Sequence, residues 1–315
     1  MSMNFGRPPR ATFAQLRSFQ AVAHLGGVTR AAEALHLTQP TISAQLRELR
    51  AGVGVDLLLP QGRGVRLTDA GQALLRTVDE MFAGWRAFED EIDALQGLLR
   101  GSLRIAGVST TEYFIAQWLK PFSAAHPGIE IDLAVDNRDA VVRRLEQDQD
   151  DLAVMMMPPA HLQLQSHVIM ENPLVLVGPA GHPWSEGRPR KLAELARQDL
   201  LMRELGSGTR QATLEFFARH AMVPRVRMSL GSNEAVKHAV AAGLGLAILS
   251  RHALAARPEQ EGLAILNVSG LPIHRQWLLV WRTDRRLPRV AAAFVASVAQ
   301  LHAGVRPSGR SKRSG

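Results

Sequence analysis

Residues 29–49 read TRAAEALHLTQPTISAQLREL. Thr29 has the side chain of a helix N-cap, and Ala32 and Leu35 after it share an inward face. His36-Leu37 leaves room only for a tight connection. Thr38 caps a further helix, whose first turn tolerates Pro40 because no intrahelical N–H is needed there. Ile42, Leu46 and Leu49 make one apolar stripe of that helix. At about 100° per residue the opposite face carries Pro40, Ser43, Ala44, Arg47 and Glu48, with Thr41 on its flank. Two helices joined by a short turn, with small Ala31-Ala32 at the crossing, are the layout of a helix-turn-helix. Small polar side chains around one arginine let a helix approach base edges in the major groove. Gln39, Pro40, Thr41, Ser43 and Arg47 are the candidate base-reading residues, and Thr38 and Arg30 lie where phosphates would be held.

Working outward, Phe13, Leu16, Phe19, Val22 and Ala23 recur at helical spacing and predict a helix over 13–25, ended by Gly26-Gly27. On the other side, residues 61–67 (QGRGVRL) suggest a two-stranded hairpin with a glycine-rich basic tip. Beside a helix-turn-helix this reads as a wing, with Arg63 and Arg66 on phosphates or a minor groove; the alternative is a solvated basic turn. Residues 68–96 form one long helix with Leu74, Leu75, Val78, Phe82, Trp85, Phe88, Ile92 and Leu95 at threes and fours. A stripe that long calls for the same helix of another chain, hence a homodimer. Domain bounds follow: a winged helix-turn-helix over 1–68 and a linker helix and hinge over 69–100.

From Gly101 strands and helices alternate, the texture of an α/β domain, read here as two lobes over 101–304. Strands are expected at 103–108, 129–135, 152–156, 173–177, 200–201, 264–268 and 276–280. Helices are expected from Ser109 through Leu119 and over 139–146, 209–220, 232–242 and 290–302. Residues 305–315, basic and rich in Ser and Gly, read as a disordered tail.

Composition narrows the function classes. Across 315 residues the net charge is +8, which suggests a polyanionic partner. Cysteine is absent, excluding disulfides and thiolate zinc sites. Eleven histidines show no tight ligand spacing, so no metal is expected. The N-terminus lacks the apolar core of a signal peptide, and no run of about 18 apolar residues suggests a membrane span. The expected compartment is the cytoplasm.

Three helix starts in the α/β region are polar: Ser109-Thr110-Thr111, Gly206-Ser207-Gly208-Thr209-Arg210 and Ser232-Asn233. Each can be an ordinary N-cap. Together they suggest a cleft whose free N–H groups and hydroxyls hold an anionic metabolite. No GxSxG elbow, P-loop or Ser/His/carboxylate set accompanies them, which argues against an enzyme. A transport-type solute-binding protein and an enzyme with a fused DNA-binding head are the other classes to weigh.

Residues 16–68 resemble the LysR-type transcriptional regulators. The resemblance rests on Leu16-Arg17-Ser18-Phe19 with Ala21-Val22-Ala23, on Thr29 to Leu35, on Thr38 to Ser43 with Leu46, and on Arg66-Leu67-Thr68. The effector half is similar to the Calvin-cycle (RuBisCO operon) regulators. Its strings are Val108-Ser109-Thr110, Asp136-Asn137-Arg138, residues 150–155, Arg203-Glu204, Gly206 to Arg210, Gly231 to Lys237, and Pro272-Ile273 with Arg275-Gln276-Trp277.

The resemblance implies a winged helix-turn-helix, a linker helix and a periplasmic-binding-protein-like effector domain. It implies a homotetramer on inverted-repeat double-stranded DNA, contact with RNA polymerase, and no bound cofactor beyond a small-molecule effector, NADPH or a phosphorylated sugar. Effector residues carried over are Ser109, Thr110, Thr111, Asn137, Met157, Arg203, Ser207, Thr209, Ser232 and Asn233. A LysR-type regulator of another pathway, aromatic or amino-acid catabolism, is the runner-up. Departures from the family pattern are Leu58 and Pro60 where Phe and Arg are usual. Met157 stands where the Calvin-cycle group has arginine, and Glu112 where it has a basic residue.

Overall fold

The computed structural model describes residues 10–62, 64–95 and 99–303. Arg63, the helix break at Gln96-Gly97 and the basic tail fall outside them. The chain forms two compact units, residues 1–92 and 93–315.

The first unit is built on α1 (Phe13–Leu25), α2 (Val28–Leu35) and α3 (Gln39–Val53), followed by β1 (Leu58–Gln61), β2 (Gly64–Leu67) and α4 (Asp69–Leu95). Thr12 and Gln15 cap α1 reciprocally, and Gly26 ends it in the left-handed region. Contrary to the sequence reading, Thr29 does not cap α2: Gly27 is the N-cap and Thr29 lies inside the first turn. The left-handed stop at Gly26 starts the next helix two residues sooner than the Thr29 hydroxyl suggested. Val22, Ala31, Ala32 and Ile42 pack as one buried cluster, so the small alanines do sit at the crossing. Leu16, Phe19, Leu49, Leu57 and Val78 form a second, which seats α4 on the helix-turn-helix. Gly71 makes that seat possible, since a Cβ there would lie 2.1 Å from the Leu57 carbonyl oxygen.

The second unit has two lobes. Its strands are β3 (Gly101–Val108), β4 (Ile129–Asp136), β5 (Leu152–Met155), β6 (Leu164–Glu171), β7 (Leu174–Pro179), β8 (Asp199–Arg203), β9 (Arg225–Leu230), β10 (Ala247–Ser250), β11 (Leu263–Ile265) and β12 (Gln276–Arg282). Its helices are α5 (Ile115–Ala125), α6 (Arg138–Glu146), α7 (Leu192–Leu195), α8 (Gly208–Arg219), α9 (Asn233–Ala241) and α10 (Arg289–Ala303). One lobe carries the sheet β4-β3-β5-β12-β6, parallel over β3, β4 and β5. The other carries β10-β7-β11 and the parallel pair β8-β9, joined by a bridge between Leu200 and Leu246.

The chain passes between the lobes after β6 and again before β12. The two crossings lie side by side: the Asn172 N–H donates to the Arg275 carbonyl at 2.7 Å, and Leu174 and Ile273 exchange a pair of 2.9 Å bonds. Asn172 is buried at this point, donating to Met156 Sδ and accepting from the Ser250 hydroxyl.

Several expectations need correction. Ser109–Tyr113 is a 3-10 turn and not the start of an α-helix; Phe114, at φ −140°, separates it from α5. The helix then runs past Leu119 to Ala125 with Pro121 inside it. The strand expected over 264–268 is Leu263–Ile265. β6 and β9 carry no clean alternation because both are sheet edges with mostly exposed or half-exposed side chains. β10 is buried throughout, and its apolar run merges with that of α9 in the sequence.

Candidate DNA interface and effector cleft

In the first unit Thr38 caps α3, its hydroxyl accepting from the Thr41 N–H at 3.3 Å and lying 2.8 Å from the Thr41 hydroxyl. Gln39, Pro40 and Arg47 are exposed, and Thr41 and Ser43 are half-exposed, while Ile42 and Leu49 are fully buried. The five candidate base readers thus share the open side of α3. Arg30 and Arg66 are also exposed. β1 and β2 pair as the expected hairpin, with Arg66 opposite Leu59 and Pro60 opposite Val65. The hairpin is anchored on the end of α1 by a 3.2 Å bond from the Val65 N–H to the Gly26 carbonyl. Gly64 permits that approach: a Cβ there would be 2.6 Å from the same oxygen.

In the second unit a cleft between the lobes encloses about 340 Å³ of space open to solvent. From one lobe it is lined by Val108, Ser109 and Thr110, by Asn137 and Arg138, by Met155, Met156 and Met157, and by Trp277. From the other come Arg203, Ser207, Gly208 and Thr209. Asn137 caps α6 and Ser207 caps α8, so the first turns of two helices from opposite lobes face one cleft. Such turns carry a partial positive charge, although the Ala140 and Arg210 amides are taken by the two caps and that of Asp139 by the Gly206 carbonyl.

Seven of the ten residues predicted to hold an effector line this cleft. Three do not. Ser232 is exposed and caps α9. Thr111 is fully buried against Gly107, its hydroxyl without a partner among the described residues. Asn233 is buried behind the cleft wall, where it accepts from Arg203 Nη1 at 2.6 Å and donates to the Thr110 hydroxyl at 3.2 Å.

Arg203 is occupied by protein partners. Glu204 takes Nε and Nη2 at 2.8 and 2.9 Å, Asn233 takes Nη1, and Nη2 reaches the Ser109 hydroxyl of the other lobe at 3.3 Å. Its charge is balanced internally, so its geometry is that of a tie between lobes. Arg138, which the sequence reading did not single out, is differently placed. Its Nε donates to the Met157 carbonyl at 2.8 Å and its Nη1 to Asp139 at 3.1 Å, leaving Nη2 without a partner among the described residues. The cleft therefore has a cation even with methionine at position 157. The signal was available, since Arg138 directly follows the cap residue Asn137 at a helix start.

A second tie lies beside the cleft. The Tyr113 hydroxyl donates to Glu234 at 2.6 Å across the lobes, and Lys237 bridges Glu234 and Glu261 at 2.9 and 2.7 Å. Burial pushes the Lys237 ammonium down, but the two carboxylates outweigh it and hold it above its ordinary range. Burial likewise pushes Glu234 and Glu261 up; hydrogen bonds from Tyr113 and Lys237 to Glu234, and from the Ala255 N–H and Lys237 to Glu261, leave both below theirs.

A helix-turn-helix head followed by a two-lobed domain with a polar cleft defines a DNA-binding regulator that answers to a small molecule. Two family models match: the bacterial regulatory helix-turn-helix of the lysR family over residues 13–72, and the LysR substrate binding domain over 96–303. The chain belongs to the LysR family of transcriptional regulators. It is 40% identical over 292 residues, 91% of its length and 97% of the relative's, to the RuBisCO operon transcriptional regulator of Allochromatium vinosum. The regulatory domain of CcmR from Synechocystis PCC6803, solved in complex with 2-PG, superposes with a TM-score of 0.62 at 34% identity, covering 64% of this chain and 98% of that one. Full-length CbnR, solved with its target DNA, gives 0.62 at 25% identity over 92% of this chain and 99% of that one. Among the described residues no helix is long and apolar enough to cross a membrane, and no cluster of metal ligands is present.

Proposed function

We propose that this chain regulates carbon-fixation (RuBisCO and Calvin-cycle) genes, binding an inverted-repeat operator through α3 and the wing and a small anionic metabolite in the cleft. The observation that carries the effector class is the cleft itself. Two helix N-termini and the Arg138 guanidinium line one space, complementary to an anion. The walls on both sides are drawn close around those polar groups, which favours a small phosphorylated acid or sugar over NADPH. Similarity to the RuBisCO operon regulator over nine-tenths of the chain supports the target genes.

Gln39, Pro40, Thr41, Ser43 and Arg47 read bases in this scheme; Arg30, Thr38 and Arg66 hold phosphates. Dimerisation runs through α4, where Met81, Trp85, Phe88 and Ile92 recur at fours and threes with large exposed areas. A homotetramer and contact with RNA polymerase complete the proposal. A regulator of another pathway is favoured by one observation, methionine at position 157 where the Calvin-cycle group has arginine.

Footprinting on the DNA upstream of the chain's own gene, with and without 2-PG, ribulose bisphosphate or NADPH, tests the proposal. Protection of an inverted repeat whose length changes with one of them supports it. Protection that none of them alters discards the carbon-fixation assignment while keeping DNA binding.

A further inference from the structure

Trp277 combines three properties that the proposed regulator does not yet use. It lines the cleft. It is 1% exposed. Its indole Nε1–H is buried with no hydrogen-bond partner among the described residues. A buried N–H left unpaired is a standing cost, because the donor has given up water and gained nothing. One reason for a structure to retain such a group beside a cleft is a partner that arrives later.

The local backbone marks the same position. Trp277 pairs with Met170 and Leu278 with Val168, so β6 carries one extra residue, Ile169, opposite the step from Trp277 to Leu278. The bulge bends β6 where it runs opposite Trp277, and bulges gather beside binding sites. The ring packs against Phe114 at a tilt of 55°, with centroids 5.2 Å apart. Trp277 is also the second residue of β12, just after the second lobe crossing, so a ligand bonded to it would touch the base of the hinge.

We infer that Trp277 is a specificity-determining residue of the effector site: its Nε1–H donates to an acceptor oxygen of a small oxyanion-bearing acid whose charge is met by Arg138. The inference rests on the cleft being the effector site. Arg138 supplies the unpartnered Nη2, and Arg203, already taken by Glu204 and Asn233, supplies none. An indole donates a single hydrogen bond and accepts none, so position 277 selects an oxygen acceptor and rejects a donor.

Calorimetric titration of the full chain with 2-PG, ribulose bisphosphate and NADPH identifies the tightest probe, which is then titrated into Trp277→Phe. Phenylalanine keeps an aromatic ring and removes the donor. The expected result is about tenfold weaker binding, equivalent to about 1.4 kcal/mol. Deleting the unsatisfied N–H offsets part of the cavity that phenylalanine leaves at this fully buried position, so the ligand-free variant should melt only slightly earlier than wild type. Binding within twofold of wild type overturns the inference and leaves the cleft reading intact. A ligand-free variant that melts early and loses no affinity assigns Trp277 to packing alone and also overturns it. Should the variant fail to fold, the indole N–H signals of wild type decide, assigned by single Phe replacements of the other four tryptophans. A downfield shift of the Trp277 signal on adding the probe supports the inference, and an unmoved signal overturns it. If wild type binds none of the three probes, the cleft reading falls and the inference falls with it.

Discussion

The backbone N–H of Asp139, in the first turn of α6, donates to the carbonyl oxygen of Gly206, just ahead of α8, at 3.2 Å. This is a bond between the lobes made by main chain alone. Gly206 sits at φ +85°, and a Cβ there would lie 3.0 Å from the Asp139 carboxylate. Gly206→Ala is expected to cost about 1–2 kcal/mol from the left-handed backbone, read as an earlier urea midpoint for the effector domain. Effector affinity falls with it. An unchanged midpoint would show that the loop relaxes freely.

Gly64→Ala tests the wing seat. The new Cβ would meet the Gly26 carbonyl at 2.6 Å, an oxygen on rigid backbone. The wing must lift, so operator affinity should drop several-fold in a gel-shift assay. Effector affinity, measured without DNA, should stay at the wild-type value.

Arg47 and Arg66 separate reading from holding. Arg47→Ala should cost about 1–3 kcal/mol on the cognate operator and relax preference at one base position. Arg66→Ala should weaken all sequences alike and reduce the slope of log affinity against log salt by about 1. Binding measured at four salt concentrations on cognate and scrambled DNA distinguishes the two; identical behaviour would remove the division of labour.

The Tyr113–Glu234–Lys237–Glu261 group sets a pH window. Glu234 and Glu261 have lowered folded-state pKa values, so their contribution is present above the ordinary glutamate range and lost as pH falls through the folded values. Lys237 is raised, so its contribution holds below the ordinary lysine range and is lost as pH rises through the folded value. Stability from this cluster should therefore be greatest between about pH 4.3 and 10.4. Glu261→Gln should flatten the acid limb of an unfolding-against-pH curve. Glu112 lies within electrostatic reach of Tyr113 and Arg251 of Glu261, and a slope unaltered by Glu261→Gln would leave the acid limb to Glu234.

The head was legible because its signals are local. Thr38, Pro40 and the Ile42, Leu46 and Leu49 stripe fix α3 within a dozen residues, and Gly26 ends α1 where it was expected. The cleft was legible only in part. Ser109 and Ser207 announce themselves as polar residues ahead of helical segments, but so does Ser232, which caps α9 away from the cleft. No local feature tells them apart; the sheet order does. Trp277 carries no local signal of a site, because a tryptophan in an apolar strand reads as core. Its proposed role depends on a donor left unpaired, and that is a property of tertiary packing.

The two passages between the lobes run antiparallel and bonded to each other, through Asn172 with Arg275 and Leu174 with Ile273. A pair of independent tethers would let the lobes bend, slide and spin. A bonded ribbon resists sliding, which would break its ladder, and yields most easily to a change of twist. The effector domain then has essentially one soft coordinate. A molecule that closed the cleft would act on that one angle, and two molecules that closed it equally would leave this domain in the same state.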